Sequence, residues 1–271
     1  MRTYDLVILV YNHYKQACEI CKLLITCIKG GYTVENYGNC RRRKIAWYVF
    51  ARQFGGNGYQ VILIARNESK LIEMTVELQK HNIKAAYYSA DIYEKNQISE
   101  VINEIYSIYG NIDILEFSPR IDHYAPSPVL SLTAEQVKDT FTGNVLGAIH
   151  CINEVLPVML EKKSGALLFT SGLSAIYPNP QMADASIAKA GLRSYILNLE
   201  KELVLKGIFV GHIILGLFLK SDTGGIDDPD ILAKYWYDKY TMSIYGEVIY
   251  PQSATSESVI RTLDLNDRVQ L

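Results

Sequence analysis

From about Tyr59 onward, short apolar runs alternate with longer amphipathic stretches. The runs are Val61–Ala65, Lys84–Ser89, Ile112–Phe117, Ala166–Thr170 and Ile208–Ile214. Each is too short for a helix, rich in β-branched residues and bounded by Gly, Asn or Asp, which predicts strands. Between them, Leu71, Met74 and Leu78 recur at helical spacing, as do Ile98, Val101, Ile102 and Ile105. Val137, Phe141, Val145, Ile149 and Ile152 form a third helical face, and Ile187, Leu192, Tyr195, Ile196, Leu199 and Leu203 a fourth. Strands alternating with helices predict a mostly parallel sheet covered on both faces. Right-handed crossovers make that a doubly wound α/β domain. No internal repeat or linker divides it. The expected layout is an N-terminal extension of doubtful origin over 1–31, one domain over 32–250, and an irregular polar surface tail over 251–271.

Bulk properties narrow this picture only slightly. With 271 residues, 49% hydrophobic, the chain is long enough for one large core. A net charge of −2 gives no reason to expect nucleic acid or a membrane as partner. The one basic run, Arg41–Lys44, reads as a solvated helix start. Cys18, Cys21, Cys27 and Cys40 precede the regular pattern, and an odd total of 5 cysteines argues against a disulfide framework. Cys18-x-x-Cys21 lacks a second pair or histidines at zinc spacing, so no metal is expected. A reducing, cytoplasmic setting follows. Leu6–Val10 is too short to cross a membrane, and Ala17–Ile28 is interrupted by Glu19 and Lys22. No leader with a small-residue cleavage site is visible.

The stretch Gly165–Arg193, GALLFTSGLSAIYPNPQMADASIAKAGLR, changes the picture most. With Gly58–Arg66 and Asp113–Asn144 it resembles the core of the short-chain dehydrogenase/reductase family over about residues 45–250. The resemblance implies a Rossmann-like sheet and hydride transfer between a nicotinamide cofactor and a carbonyl or alcohol carbon of a small compound. Such a reaction needs a proton-exchanging group, a donor to the oxygen and a cation. By resemblance Lys189 is the cation and bonds the nicotinamide ribose; an ordinary lysine on an amphipathic helix is the plain alternative. The family's tyrosine, four residues before that lysine, is Ala185 here. Tyr177 and Ser186 stand nearby without the right spacing. The family's serine falls by spacing on Gly172, with Ser174 two further on; Ser171 is the expected catalytic serine. Asn144 sits where the family keeps a helix asparagine supporting a proton relay, and a structural hydrogen bond is its alternative.

Cofactor contacts follow from the same resemblance. Arg66 closes the second strand, where a carboxylate suits a ribose diol and an arginine suits a 2′-phosphate. NADP(H) is therefore favoured over NAD(H), the alternative being an exposed strand-end arginine. Asp91 matches an aspartate beside the adenine, or is a plain helix N-cap. Ser118, in Glu116-Phe117-Ser118-Pro119, holds the position of the family's Asn-Asn-Ala-Gly turn, and Gly216 that of its Pro-Gly. Lys220–Asp230 resembles the flexible substrate-side loop. Trp236, Tyr237 and Tyr240 suit either a pocket lid or an ordinary helix face.

The Gly-rich pyrophosphate turn is the weak point. It should lie about twenty residues before Val61, where Gly38 stands before Asn39-Cys40-Arg41-Arg42-Arg43-Lys44. One glycine among bulky residues makes a poor cradle. Codons that spell Asn39–Tyr48 can be read one base later as Ile-Val-Gly-Ala-Gly-Lys-Ser-Leu-Gly, and any Trp-Tyr pair forces that last glycine. Gly38–Phe50 is thus expected to be a frame-slipped nucleotide loop with translated upstream DNA over 1–31; the alternative is a divergent domain that has lost the cofactor. Two functions are carried forward: an atypical oxidoreductase acting as a homodimer or homotetramer, and a non-catalytic nucleotide- or partner-binding protein.

Overall fold

The computed structural model describes residues 6–10, 46–118 and 127–258. Its elements are β1 (Leu6–Val10), α1 (Ala46–Gly56), β2 (Gln60–Ala65), α2 (Glu68–Lys80), β3 (Ala85–Ser89), α3 (Lys95–Tyr109) and β4 (Ile114–Phe117). After these come α4 (Ala134–Phe141), a π-helical turn (Thr142–Leu146), α5 (Gly147–Lys162), β5 (Gly165–Gly172) and α6 (Ala183–Leu203). β6 (Ile208–Leu215), α7 (Pro229–Thr241) and β7 (Gly246–Tyr250) follow.

One seven-stranded sheet runs in the order β3-β2-β1-β4-β5-β6-β7, every pair parallel. Strands covered on both faces read as continuous apolar runs. On one face α3, α5 and α6 bury Ile98, Ile102, Ile152, Val155, Leu192 and Ile196 against Ile62, Leu115, Leu167 and Val210. On the other, α1, α2 and α7 bury Phe54, Leu71, Leu78 and Trp236 against Leu63, Leu168 and Ile213. Local signals set the helix ends. Asn67 accepts from the Lys70 N–H to cap α2, Thr133 and Gln136 form a capping box on α4, and Asp228 caps α7 ahead of Pro229. The stretch Ala134–Lys162 is long and apolar enough to span a membrane, yet 50% of its most apolar window is buried inside the fold.

Two expectations change here. Leu6–Val10, placed in the extension over 1–31, pairs with both β2 and β4 in the middle of the sheet, so those five residues belong to the domain. The tail also begins packed: Ala254 is buried against Leu173 and Ile214. Within the segment expected to be frame-slipped, Ala46–Phe50 opens α1 and buries Val49 and Phe50. Gly38, Arg41–Lys44 and the four early cysteines lie outside the described residues. Ile187, expected on the inner face of α6, is exposed.

Candidate functional site

The strand order reverses between β1 and β4, and in open α/β sheets ligands bind beyond the carboxyl ends of the strands at that point. Those ends carry Arg66 after β2, Asp91 after β3, Ser118 after β4, Ser171 and Gly172 on β5, and Gly216 after β6. α6 brings Lys189 and α4 with its π-turn brings Asn144.

Arg66 and Asp91 meet. Arg66 Nη1 lies 3.3 Å from Asp91 Oδ2, and the guanidinium carbon sits 5.7 Å from the Tyr93 ring centroid. The Tyr93 N–H donates to Asp91 Oδ1 at 3.0 Å, fixing the carboxylate. The N-cap reading of Asp91 fails, because α3 starts at Lys95 and its cap position is Glu94.

Lys189 reaches Gly172. A β-carbon built there would stand 2.7 Å from Lys189 Nζ, so glycine at the family's serine position makes room for the ammonium. Burial pushes the Lys189 pKa below its ordinary 10.5, opposed by the Asp184 carboxylate. Asp184 is itself buried and accepts the Thr140 hydroxyl at 2.6 Å. The Thr140 carbonyl accepts Asn144 Nδ2–H at 2.8 Å, while Asn144 Oδ1 is buried with no partner. Asn144 thus makes the structural bond and keeps one acceptor open. Its π-turn is the kind of helix irregularity that gathers at functional sites.

The remaining expected residues are engaged in bonds within the fold. Ser171 is buried, its Oγ 2.7 Å from His212 Nε2, and His212 Nδ1 is 3.1 Å from Glu247 Oε2. Arg193 grips Glu247 through Nε at 2.8 Å and Nη2 at 2.9 Å. Ser118 donates its hydroxyl to Glu116 Oε1, which also accepts from Thr170 at 3.2 Å. Trp236 Nε1–H donates to Thr170 Oγ1 at 2.9 Å; an indole only donates, so the Thr170 proton is committed to Glu116. Gly216 is pressed by the tail, since a β-carbon there would stand 2.2 Å from Ala254 Cβ. Tail packing is therefore the reason for that glycine.

No hydroxyl among the expected substitutes fills the tyrosine's place. Ala185 is 1% exposed. Tyr177 packs with Leu173, Ile214 and Ala254. Ser186 donates to the Met182 carbonyl at 2.9 Å and accepts the Asn179 N–H at 3.0 Å. Trp236 is core and Tyr237 and Tyr240 pack on Phe54, so the helix-face reading replaces the lid. The Lys220–Asp230 loop is tied by Lys220 N–H to the Asp227 carbonyl and by Gly224 N–H to Asp228. Cys151, on α5, is buried and desolvation pushes its thiol up to about 12, leaving it inert. His212, Glu247 and Glu116 escaped the sequence reading. Their signal was a lone polar residue inside an apolar strand.

Residues 48–226 match the family model of the short chain dehydrogenases. A very-long-chain 3-oxoacyl-CoA reductase of Pyricularia oryzae is 26% identical over 220 residues, 76% of this chain and 64% of that protein. The chain thus spans slightly under two thirds of that relative's length. A 3-oxoacyl-(acyl-carrier-protein) reductase of Staphylococcus epidermidis is 24% identical over 198 residues, 73% of this chain and 80% of the relative. Among solved structures, a short-chain dehydrogenase from Rhodopseudomonas palustris superposes with TM-score 0.68 at 17% identity, covering 92% of this chain and 98% of the other. L-sorbose reductase from Gluconobacter frateurii gives TM-score 0.71 at 16% identity, covering 93% and 97%. A family match over that much of the sequence, on a parallel sheet of this order, makes the chain a member of the short-chain dehydrogenase family of oxidoreductases.

Proposed function

We propose that the protein binds NADP(H) in preference to NAD(H) and interconverts a carbonyl and an alcohol on a small molecule. The observation that carries this is Arg66, a guanidinium at the end of β2 held in place by Asp91 and the Tyr93 ring. A 2′-phosphate there gains charge-assisted hydrogen bonds that a bare ribose hydroxyl does not. The other described residues suit the same cofactor. The half-buried Lys189 ammonium and the open Asn144 Oδ1 offer a donor and an acceptor, with Lys189 toward the nicotinamide ribose and Asp91 toward the adenine. Bound there, the cofactor supplies or accepts hydride. Gly38, the expected pyrophosphate contact, lies outside the described residues. The 3-oxoacyl reductases among the relatives make 3-oxoacyl thioesters the first substrates to try.

Titration with each cofactor tests the reading. NADPH is expected to bind more tightly than NADH, and Arg66→Gln to weaken NADPH about tenfold or more while leaving NADH unchanged, as a charged hydrogen bond of ~1.5–3 kcal/mol requires. Equal affinities in the unaltered chain would sink it. A cytoplasmic setting and self-association belong to the same proposal. Leu146, Leu160 and Ile187 are exposed on the π-turn, α5 and α6, and light scattering on the purified chain reads the assembly.

One observation favours a second reading. Ala185 is buried and the Ser186 hydroxyl beside it is committed to the Met182 carbonyl, as expected of a nucleotide-binding protein without redox chemistry. NADPH consumption with aldehydes, ketones and 3-oxoacyl thioesters separates the two.

A further inference from the structure

We propose that His212, held by Glu247, stores a proton behind Ser171 and delivers it at Ser171 Oγ, taking the acid–base role that Ala185 leaves empty. This deepens the carbonyl–alcohol reading above and rests on it. Three observations converge. The inner end of the chain, Ser171, neighbours Gly172, against which Lys189 rests, so it lies at the same strand end as the site's cation. The middle member, His212, is 1% exposed inside the otherwise apolar β6, an unusual residue for a core strand unless it is fully bonded. The outer end, Glu247 on β7, is clamped by both Arg193 nitrogens.

The direction of each bond follows from donor chemistry. Burial raises the Glu247 carboxyl, but hydrogen bonds from His212 and Arg193, together with their charges, outweigh it and hold the group below its ordinary 4.5. An ionised carboxylate only accepts, so His212 Nδ1 carries hydrogen and donates to Oε2 at 3.1 Å. In the neutral ring Nε2 is then bare and accepts the Ser171 O–H at 2.7 Å. Protonation of the ring reverses that bond: Nε2–H donates to Ser171 Oγ, and the serine's own O–H turns toward the crevice.

In the reducing direction the carbonyl carbon gains hydride, with its two electrons, from reduced nicotinamide, the co-reactant of that reading. The substrate oxygen takes a proton from Ser171 Oγ. The O–H bond of Ser171 breaks as Nε2–H passes its proton to the same oxygen, so serine ends unchanged and the ring ends neutral. After the alcohol leaves, the ring is reloaded from solvent through Ser171. Oxidation runs the transfers backward. Lys189, positive at the same strand end, eases the momentary charge on either oxygen.

The ionisable surroundings of His212 are few. β7 contributes Glu247. α6 contributes Arg193, Lys189 at the end of β5, and Glu200, whose Oε1 is 2.8 Å from a β-carbon position on Gly246. On the opposite face of the sheet α7 brings Lys239, which donates to the Ile244 and Tyr245 carbonyls.

The test compares the full chain with Ser171→Ala, His212→Gln and Glu247→Gln. NADPH affinity is measured by fluorescence, NADPH consumption with a carbonyl panel from pH 5.5 to 8.5, and ring tautomer by nitrogen-15 NMR. NADPH affinity is expected within about twofold throughout. Turnover is expected to fall about 100-fold or more in Ser171→Ala and His212→Gln, the usual worth of a positioned acid. KM should barely move, and His212→Gln should lose the pH dependence that the unaltered chain shows. The NMR should report Nδ1–H with bare Nε2 in the neutral ring. Turnover retained in His212→Gln with an unchanged pH profile overturns the proton store and leaves the carbonyl–alcohol reading standing. Absence of turnover in the unaltered chain, despite NADPH binding, overturns both. Should His212→Gln fold poorly by circular dichroism, Ser171→Ala, which keeps the strand's volume, carries the same comparison.

Discussion

Lys189 shows how one missing side chain reshapes its neighbours. Ala185 puts no hydroxyl four residues before it, Gly172 puts no β-carbon beneath it, and the ammonium of this half-buried residue sits against bare backbone. Desolvation lowers its pKa from 10.5, with Asp184 opposing, so the unfolded chain binds more protons than the folded one below that value. Stability must then rise with pH across the window that ends near 10.5. Lys189→Met is expected to flatten that rise, seen in urea melts from pH 7 to 10, and to stabilise the cofactor-free chain at pH 7. An unchanged slope would show that the ammonium is solvated. Restoring the family's acid by Ala185→Tyr is a separate matter. Position 185 is 1% exposed, so a tyrosine overpacks it and a stability loss of about 1–3 kcal/mol is expected in denaturant melts.

At the scale of elements, β7 shows what long-range bonds add to a strand that patterning leaves undecided. Gly246–Tyr250 is short and only Tyr250 is buried, so its apolar signal is weak. Its place beside β6 is reinforced by Glu247, which ties α6 through Arg193 and β6 through His212. Because Glu247 titrates below 4.5 in the folded chain, its contribution is present above that value and lost as pH falls through the folded pKa. Glu247→Gln is expected to cost about 1–2 kcal/mol at neutral pH, discounted for partial exposure, and the gap should close under acid. A gap independent of pH would mean that the carboxylate's charge is immaterial.

The same physics explains what could be read in advance. β2, β5 and β6 are apolar runs between turn residues, and Leu71, Leu78, Ile98 and Ile102 sit at true helical spacing. β1 escaped because Leu6–Val10 has no neighbouring periodic signal, and its partners lie more than fifty residues on in the chain. Arg66 and Asp91 could be placed at strand ends from the apolar runs before them, and Lys189 only through the resemblance of the stretch around it. The Ser171–His212–Glu247 chain was not legible, since its bonds span 41 and 35 residues and no local pattern encodes them.

The whole molecule joins two apolar cores across one sheet, and the expected cofactor crevice lies along the carboxyl edge that both cores support. On one side Phe54 of α1 stacks on Phe50 at 4.4 Å and meets Tyr237 of α7 at 5.2 Å, tying α1 to α7. Truncation by Phe54→Ala is expected to cost about 3–5 kcal/mol, since the ring is fully buried and its neighbours are rigid aromatics. Ligand at that edge stabilises the fold as one unit, because a group that binds only the native state adds RT ln(1 + [L]/Kd) to the folding free energy. At one hundred times its dissociation constant, NADPH is expected to contribute about 2.7 kcal/mol. For a domain of this size that corresponds to a rise in Tm of roughly 5–10 °C. NADH at the same concentration should give a smaller rise, and Arg66→Gln should bring the two together. If neither cofactor moves Tm, the strand ends that hold Arg66, Asp91 and Lys189 do not suffice for binding.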